Sequence, residues 1–349
     1  MHRLVRLALL ALVTLATTAQ PVQAYRAERI REALWLGMDY MIRSASKPEH
    51  FEDYASDYLF FFADVVRFPD PWIRERALTV GRRLGQIYLE RYFTLDSADD
   101  LVDAASALYA LECLDMDVDV PLAQVEAAAG RFSESEYLGF DPDRGDLPDV
   151  DLLIDLLIGF HFTDRLEVPI GIRFAEMLHY VPSVDYTVSD PDESNRYIDV
   201  NNLVTHLVYT VSGYASWNVS PRLLPRELDF IRAWMPYALE WADPETLAEY
   251  VDSLRILGFG PDDPDVAAGV DLLLALQKID GRWEPERAED EYDRYHATWC
   301  AMDALRDYAL GSDGTPDQRS AELLRTWAEQ YRHGQPFSDS LELGPDRRD

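Results

Sequence analysis

The chain has 349 residues, 48% of them hydrophobic and 12% aromatic, and a formal net charge of −32. That is apolar enough for a large packed core, which excludes intrinsic disorder, and too acidic for a nucleic-acid-binding surface. Positive charge comes almost wholly from arginine, Lys47 and Lys278 being the lysines.

Residues 1–24, MHRLVRLALLALVTLATTAQPVQA, read as a signal peptide: Arg3 and Arg6 open it, an apolar run follows from Leu7, and Val22 and Ala24 sit at the small-residue positions of a cleavage site. Export to the periplasm or beyond is the expectation. Removal of the segment takes away two arginines and no acids, so 30 basic residues would face 64 acidic ones, a net −34. No later apolar run has the length of a membrane span, so the processed protein is expected to stay out of the bilayer.

From residue 25 onward the hydrophobic spacing is helical and no stretch alternates as a strand. Helices are predicted at 26–44, 51–66, 72–93, 99–115, 120–132, 148–165, 169–180, 199–216, 225–241, 244–258, 264–278, 293–309 and 316–332, separated by proline, glycine and aspartate in FPDPW, DMDVDVP, DPDRGDLP, SDPDES, ADPE, GPDDPD and GSDGTPD. After the first helix they pair into about six hairpins at a period of roughly 50 residues, the pattern of a repeat architecture. The predicted fold is all-α, an α/α toroid with inner and outer helices spanning 25–332, followed by a polar tail at 333–349.

Two short stretches carry a family resemblance. AGVDLLLALQKIDGRW, 268–283, resembles the glutamine-tryptophan repeat of squalene and other terpenoid cyclases, with Gln277, Gly281 and Trp283 on its spacing. DRYHATWCAMDAL, 293–305, resembles the segment of protein prenyltransferase β subunits in which a tyrosine-histidine-threonine stretch opens an inner helix and the histidine binds zinc. Both families are α/α toroids, and the resemblance implies that fold and a metal role for His296. The D-x-C that completes the prenyltransferase site has no counterpart in AEYVDSLRILGF.

In such a ring the first turns of the inner helices line a cavity mouth. They carry Asp53, Asp57, Asp99, Asp100, Asp103, Asp149, Asp151, Asp155, Asp199, Asn202, Glu245, Glu249 and Asp252, many of which the helix dipole alone would favour. His206 and His296 lie near the starts of two inner helices, and Cys300 follows His296 by one turn. Two imidazoles facing one hollow can hold an ion, so His206, His296, Cys300 and Asp199 are the predicted metal ligands. Zinc follows from the resemblance, copper from the ligand types. Tyr209, Tyr295 and Asp252 are the predicted acid–base groups beside it.

The leading expectation is thus an exported metal-dependent enzyme acting on a small molecule, peptide or glycan. Two others stand beside it: a metal-free toroid lyase or hydrolase acting on a polysaccharide, and a non-catalytic binding protein. DDLVD, 99–103, has the spacing of a diphosphate-binding aspartate motif, but no companion motif accompanies it. No P-loop, dinucleotide fingerprint, G-x-S-x-G or H-E-x-x-H is present, so no nucleotide cofactor is expected. Cys113 and Cys300 lie on apolar helical faces and read as free thiols.

Overall fold

The computed structural model describes residues 25–188, 195–307, 310, 314, 315 and 317–334. The signal-peptide prediction at 1–24 and nearly all of the predicted tail at 333–349 lie outside them. Among the described residues the fold is all-α, without strands. Its helices are α1 (25–45), α2 (Pro48–Asp53), α3 (Ala55–Val65), α4 (Pro71–Arg91), α5 (Ala98–Cys113), α6 (Asp119–Ala129), α7 (Glu134–Leu138), α8 (Val150–Arg165), α9 (Phe174–Met177), α10 (Asn195–Val211), α11 (Pro225–Trp241), α12 (Pro244–Ile256), α13 (Pro264–Leu276), α14 (Glu291–Ala304) and α15 (Gln318–Arg332). No helix among the described residues is long and apolar enough to cross a membrane.

The breaks in the sequence act as helix starts. Asp70, Asp243 and Asp263 cap α4, α12 and α13 by accepting from backbone N–H groups of the first turn, and in each case the next residue is a proline at the first helical position. Ser97 and Asp100 form a reciprocal capping box on α5, which accounts for part of the DDLVD cluster without any ligand. The predicted helix at 169–180 shrinks to the single turn of α9 and a 3₁₀ segment, Leu178–Ser183, because Gly171 is left-handed (φ 85°) and Pro182 interrupts the hydrogen-bond ladder.

Six long helices succeed one another in contact: α3 with α5, α5 with α8, α8 with α10, α10 with α12, and α12 with α14. From α14 the aromatic contacts lead back to α3. Tyr295 lies 4.7 Å from Tyr58 and 5.1 Å from Tyr54, and Trp299 lies 5.6 Å from Phe60. On the other side of this succession α4 packs on α3, α6 on α5, α11 on α10 and α12, and α13 on α12.

The last predicted hairpin is built differently. α15 packs against α9 and α11, making up for the shortness of α9, while α1 lies beside α13, where Arg26 and Arg29 donate to Ala267 O and Leu274 O, and beside Met302 of α14. Gln277 at the end of α13 donates to Ala33 O at 2.8 Å, and Gly37 of α1 is in close contact with Trp283 and Met302. Gly281 (φ 95°) passes so close to α1 that an added Cβ would sit 2.1 Å from Leu36 O. Trp283 is fully buried and its indole donates to Leu273 O at 2.8 Å, so the Gln277, Gly281 and Trp283 spacing seals the end of α13 against α1.

Candidate functional site

All six helices of the succession wall one cavity of about 190 Å³. Asp57, Phe60 and Asp64 come from α3, Asp103 from α5, Phe162 from α8, His206 and Tyr209 from α10, Glu249 and Asp252 from α12, and Tyr292, His296, Trp299, Cys300 and Asp303 from α14. Tyr214 and Arg306 complete the wall from the segments that follow α10 and α14. The spacing of His296, Cys300 and Asp303 is the one that puts side chains on a single helical face.

The two histidines are held differently. His206 has its Nδ1 2.7 Å from Asn202 O, one turn back on its own helix; since a carbonyl only accepts, Nδ1 carries the hydrogen and Nε2 has the lone pair. Burial, reinforced by the charge on His296, pushes His206 down to about 4, so it is neutral. His296 Nδ1 lies 3.0 Å from Glu245 Oε1, and the Tyr292 ring stacks on the imidazole at 4.8 Å. Burial opposes a charge on His296, but the negative charge that Cys300, Tyr292 and Glu245 can carry beside it outweighs burial and holds the imidazole well above its ordinary range, Glu245 being the one of the three that is ionised at neutral pH. Burial likewise works against a charged Glu245, and His296 reverses that and lowers it. The thiol of Cys300, 3.8 Å from His296 Nδ1, is pushed up to about 11 by burial, so the anion paired with His296 at neutral pH is Glu245.

Carboxylates make up much of the remaining wall. Asp64 is ion-paired with Arg67 and Asp252 with Arg306, the latter with side chains only 4% and 1% exposed. Asp57 accepts a 2.6 Å hydrogen bond from the Tyr295 hydroxyl. Glu249 is raised to about 8, by burial first and then by the nearby charge of Glu245. Asp303 is also raised, by burial and then by Cys300.

Of the residues predicted from sequence, His206, His296, Cys300, Tyr209 and Asp252 line this cavity together. Tyr209 reaches Glu249 O at 3.4 Å. Tyr295 is fully buried and does not line the cavity; it donates to the cavity-lining Asp57 and packs edge-on against the cavity-lining Tyr292. Asp199 is elsewhere: seven residues before His206, about 10 Å along α10, it lines a separate surface depression with Asp149, Asp151 and Asp185. His161 is buried against Phe162, Phe174 and Tyr214, while Asp164, three residues further along α8, pairs with Arg173. Both cysteines are free, Cys300 buried and Cys113 exposed.

Glu245 and Glu249 were legible only as two acids near a helix start. Their i, i+4 spacing, continued by Asp252 on a helix otherwise apolar, is the signal that marks a buried acidic face. For a metal the donor set fits in part. Each imidazole has its Nδ1 anchored on an acceptor, the arrangement that frees Nε2 for an ion. Among the described residues, however, no three His, Cys, Asp or Glu side chains converge on one point. No family model, curated protein or solved structure matches the chain.

Proposed function

We propose that the six cavity-walling helices are the inner ring of an α/α toroid and that the protein is an enzyme working by acid–base chemistry on a glycan. The closed succession of contacts from α3 to α14 and back favours the ring. One observation carries the chemistry: two imidazoles on one cavity wall are kept in opposite protonation states, His206 neutral through burial and the charge on His296, and His296 charged beside Glu245. Groups whose protonation is pushed apart in this way divide into acid and base. His206, with a free Nε2, takes a proton from water or from a carbon acid; His296, kept protonated by Glu245, supplies positive charge where negative charge builds. The aromatic walls from Phe60, Tyr214, Tyr292 and Trp299 suit the flat faces of a sugar, and the excess of carboxylates favours a neutral or cationic ring over a uronate. Export through residues 1–24 would bring such an enzyme to its polymer.

A second reading, a zinc or copper enzyme, is favoured by the anchored Nδ1 atoms, which would leave both Nε2 atoms to the ion and Cys300 beside it. Such an ion would supply Lewis acidity or redox chemistry. Turnover of neutral oligosaccharides and glycosides, read as reducing-end release, tests the first reading: His206→Ala and His296→Ala are each expected to lower kcat/KM by about 10²-fold or more. Unchanged rates in both variants would end it. Elemental analysis after reconstitution with excess zinc or copper tests the second, which fails if the protein retains under about a tenth of an equivalent of either metal.

A further inference from the structure

Glu249 is the buried acid to which the acid–base reading assigns no task. It is 2% exposed, it belongs to the cavity wall, and its two oxygens have different surroundings. Oε2 accepts from Thr205 Oγ1 at 3.1 Å and from Asn201 Nδ2 at 3.3 Å. Oε1 has no hydrogen-bond partner among the described residues. The Thr205 hydroxyl also has Asn201 O and Asn202 O within 3.2 Å; where it and Asn201 donate to Oε2, the hydrogen of this carboxyl falls on Oε1, the oxygen without a partner. Glu245 and Asp243 from its own helix and cap act against ionisation, as does burial, while His296 favours it. Cys300 on α14, Tyr197 and Tyr209 on α10 and Tyr250 on α12 are the further titratable groups that feel its charge.

We propose that Glu249 is the proton donor of the cavity, an un-ionised carboxylic acid that presents the hydrogen on Oε1 to the leaving oxygen of a bound substrate. In hydrolysis the O–H bond of Glu249 breaks as the bond from carbon to the leaving oxygen breaks, and the proton goes to that oxygen. The electron pair stays on Glu249, whose carboxylate is then stabilised by Thr205, Asn201 and the charge on His296. The attacking water loses its proton to His206 Nε2 while its oxygen bonds to the carbon; once the products leave, His206 releases that proton to solvent and Glu249 takes one up, so the net change is the addition of one water. The substrate in this scheme rests on the acid–base reading above; the proton on Glu249 does not.

Infrared difference spectroscopy of the full chain against Glu249→Gln reads that proton directly. The carbonyl band of an un-ionised acid is expected at pH 6, missing from the variant, and lost from the wild type by pH 10. Its absence at pH 6 overturns the inference. Should Glu249→Gln fail to fold by far-UV circular dichroism, Thr205→Val, which removes one donor to Oε2, replaces it: the band must shift, and an unmoved band overturns the assignment. The donor role is read on two glycosides. Glu249→Gln should lower kcat by about 10²-fold or more on an alkyl glycoside, whose leaving oxygen needs a proton, and at least tenfold less on a nitrophenyl glycoside, whose leaving oxygen does not. Equal losses on both overturn the role. No turnover of either glycoside by the wild type would count against the glycan reading, and the infrared band would still stand or fall by itself.

Discussion

The starts of α5 and α12 look alike in sequence and behave differently in the fold. Each has a cap followed by acids: Asp99, Asp100 and Asp103 on α5, Glu245, Glu249 and Asp252 on α12. On α5, Asp100 accepts from the backbone N–H groups of Ser97 and Asp96 at 3.0 and 3.1 Å, and Asp99 faces solvent. α12 is buried along its length apart from Glu245 and Arg255, which are half-buried, so its acids must find partners inside: His296, Thr205 and Arg306. A carboxylate in water costs nothing to keep charged. The same group in a low-dielectric wall is paired, neutralised or strongly destabilising. Acidity thus serves on α5 as a cap and a solvated face, with Asp103 alone of its three acids reaching the cavity wall, and on α12 as a buried reactive surface.

The sharpest way to break this contrast is to unpair the acid of α12 that is held in a buried ion pair. Arg306→Met would leave Asp252 charged and alone at 3% exposure, and a loss of about 3–5 kcal/mol in chemical denaturation is expected. A loss under about 1 kcal/mol would mean that Asp252 is not dependent on its ion pair.

A second test uses pH. Glu249 is raised from 4.5 to about 8 in the folded protein, so between these values the unfolded chain releases a proton that the folded chain keeps. Stability contributed by this group is present in full below 4.5 and is lost as pH rises to about 8. Glu249→Gln removes that loss. Its stability relative to wild type should rise across the window by up to about 1.4 kcal/mol per pH unit, measured by urea unfolding. A difference independent of pH would show that the group is ionised in both states.

Effects on α5 should be smaller. Ser97→Ala removes half of a capping box and is expected to cost about 1 kcal/mol by thermal unfolding. Asp99→Asn, at an exposed position outside the cavity wall, should change stability by less than about 0.5 kcal/mol and leave turnover unaltered. An effect of Asp99→Asn on turnover larger than that of Glu245→Gln would reverse the comparison.

Much of this organisation was legible in the chain. Helical periodicity and the aspartate-proline breaks predicted the helices within a few residues, because caps and first-turn prolines are local chemistry. α9 was overestimated because a left-handed Gly171 stops a helix that composition alone would extend. α7 was missed, although Ser133 and Glu136 form its capping box. Among the site residues, His206, His296, Cys300, Tyr209 and Asp252 were placed on one wall by their positions in apolar helices. Asp199 fell outside because two helical turns separate it from His206.

By itself, then, the sequence determined what depends on neighbours along the chain: where helices start, which face of each is apolar, and which acids share a turn. Only the tertiary structure decided that α1 packs beside α13 and α14, that α15 covers α9, and that Glu245 meets His296 across 51 positions. The protonation of His206, His296 and Glu249 belongs to that second class. It is set by burial and by charges from other helices, and neither is a property of local sequence.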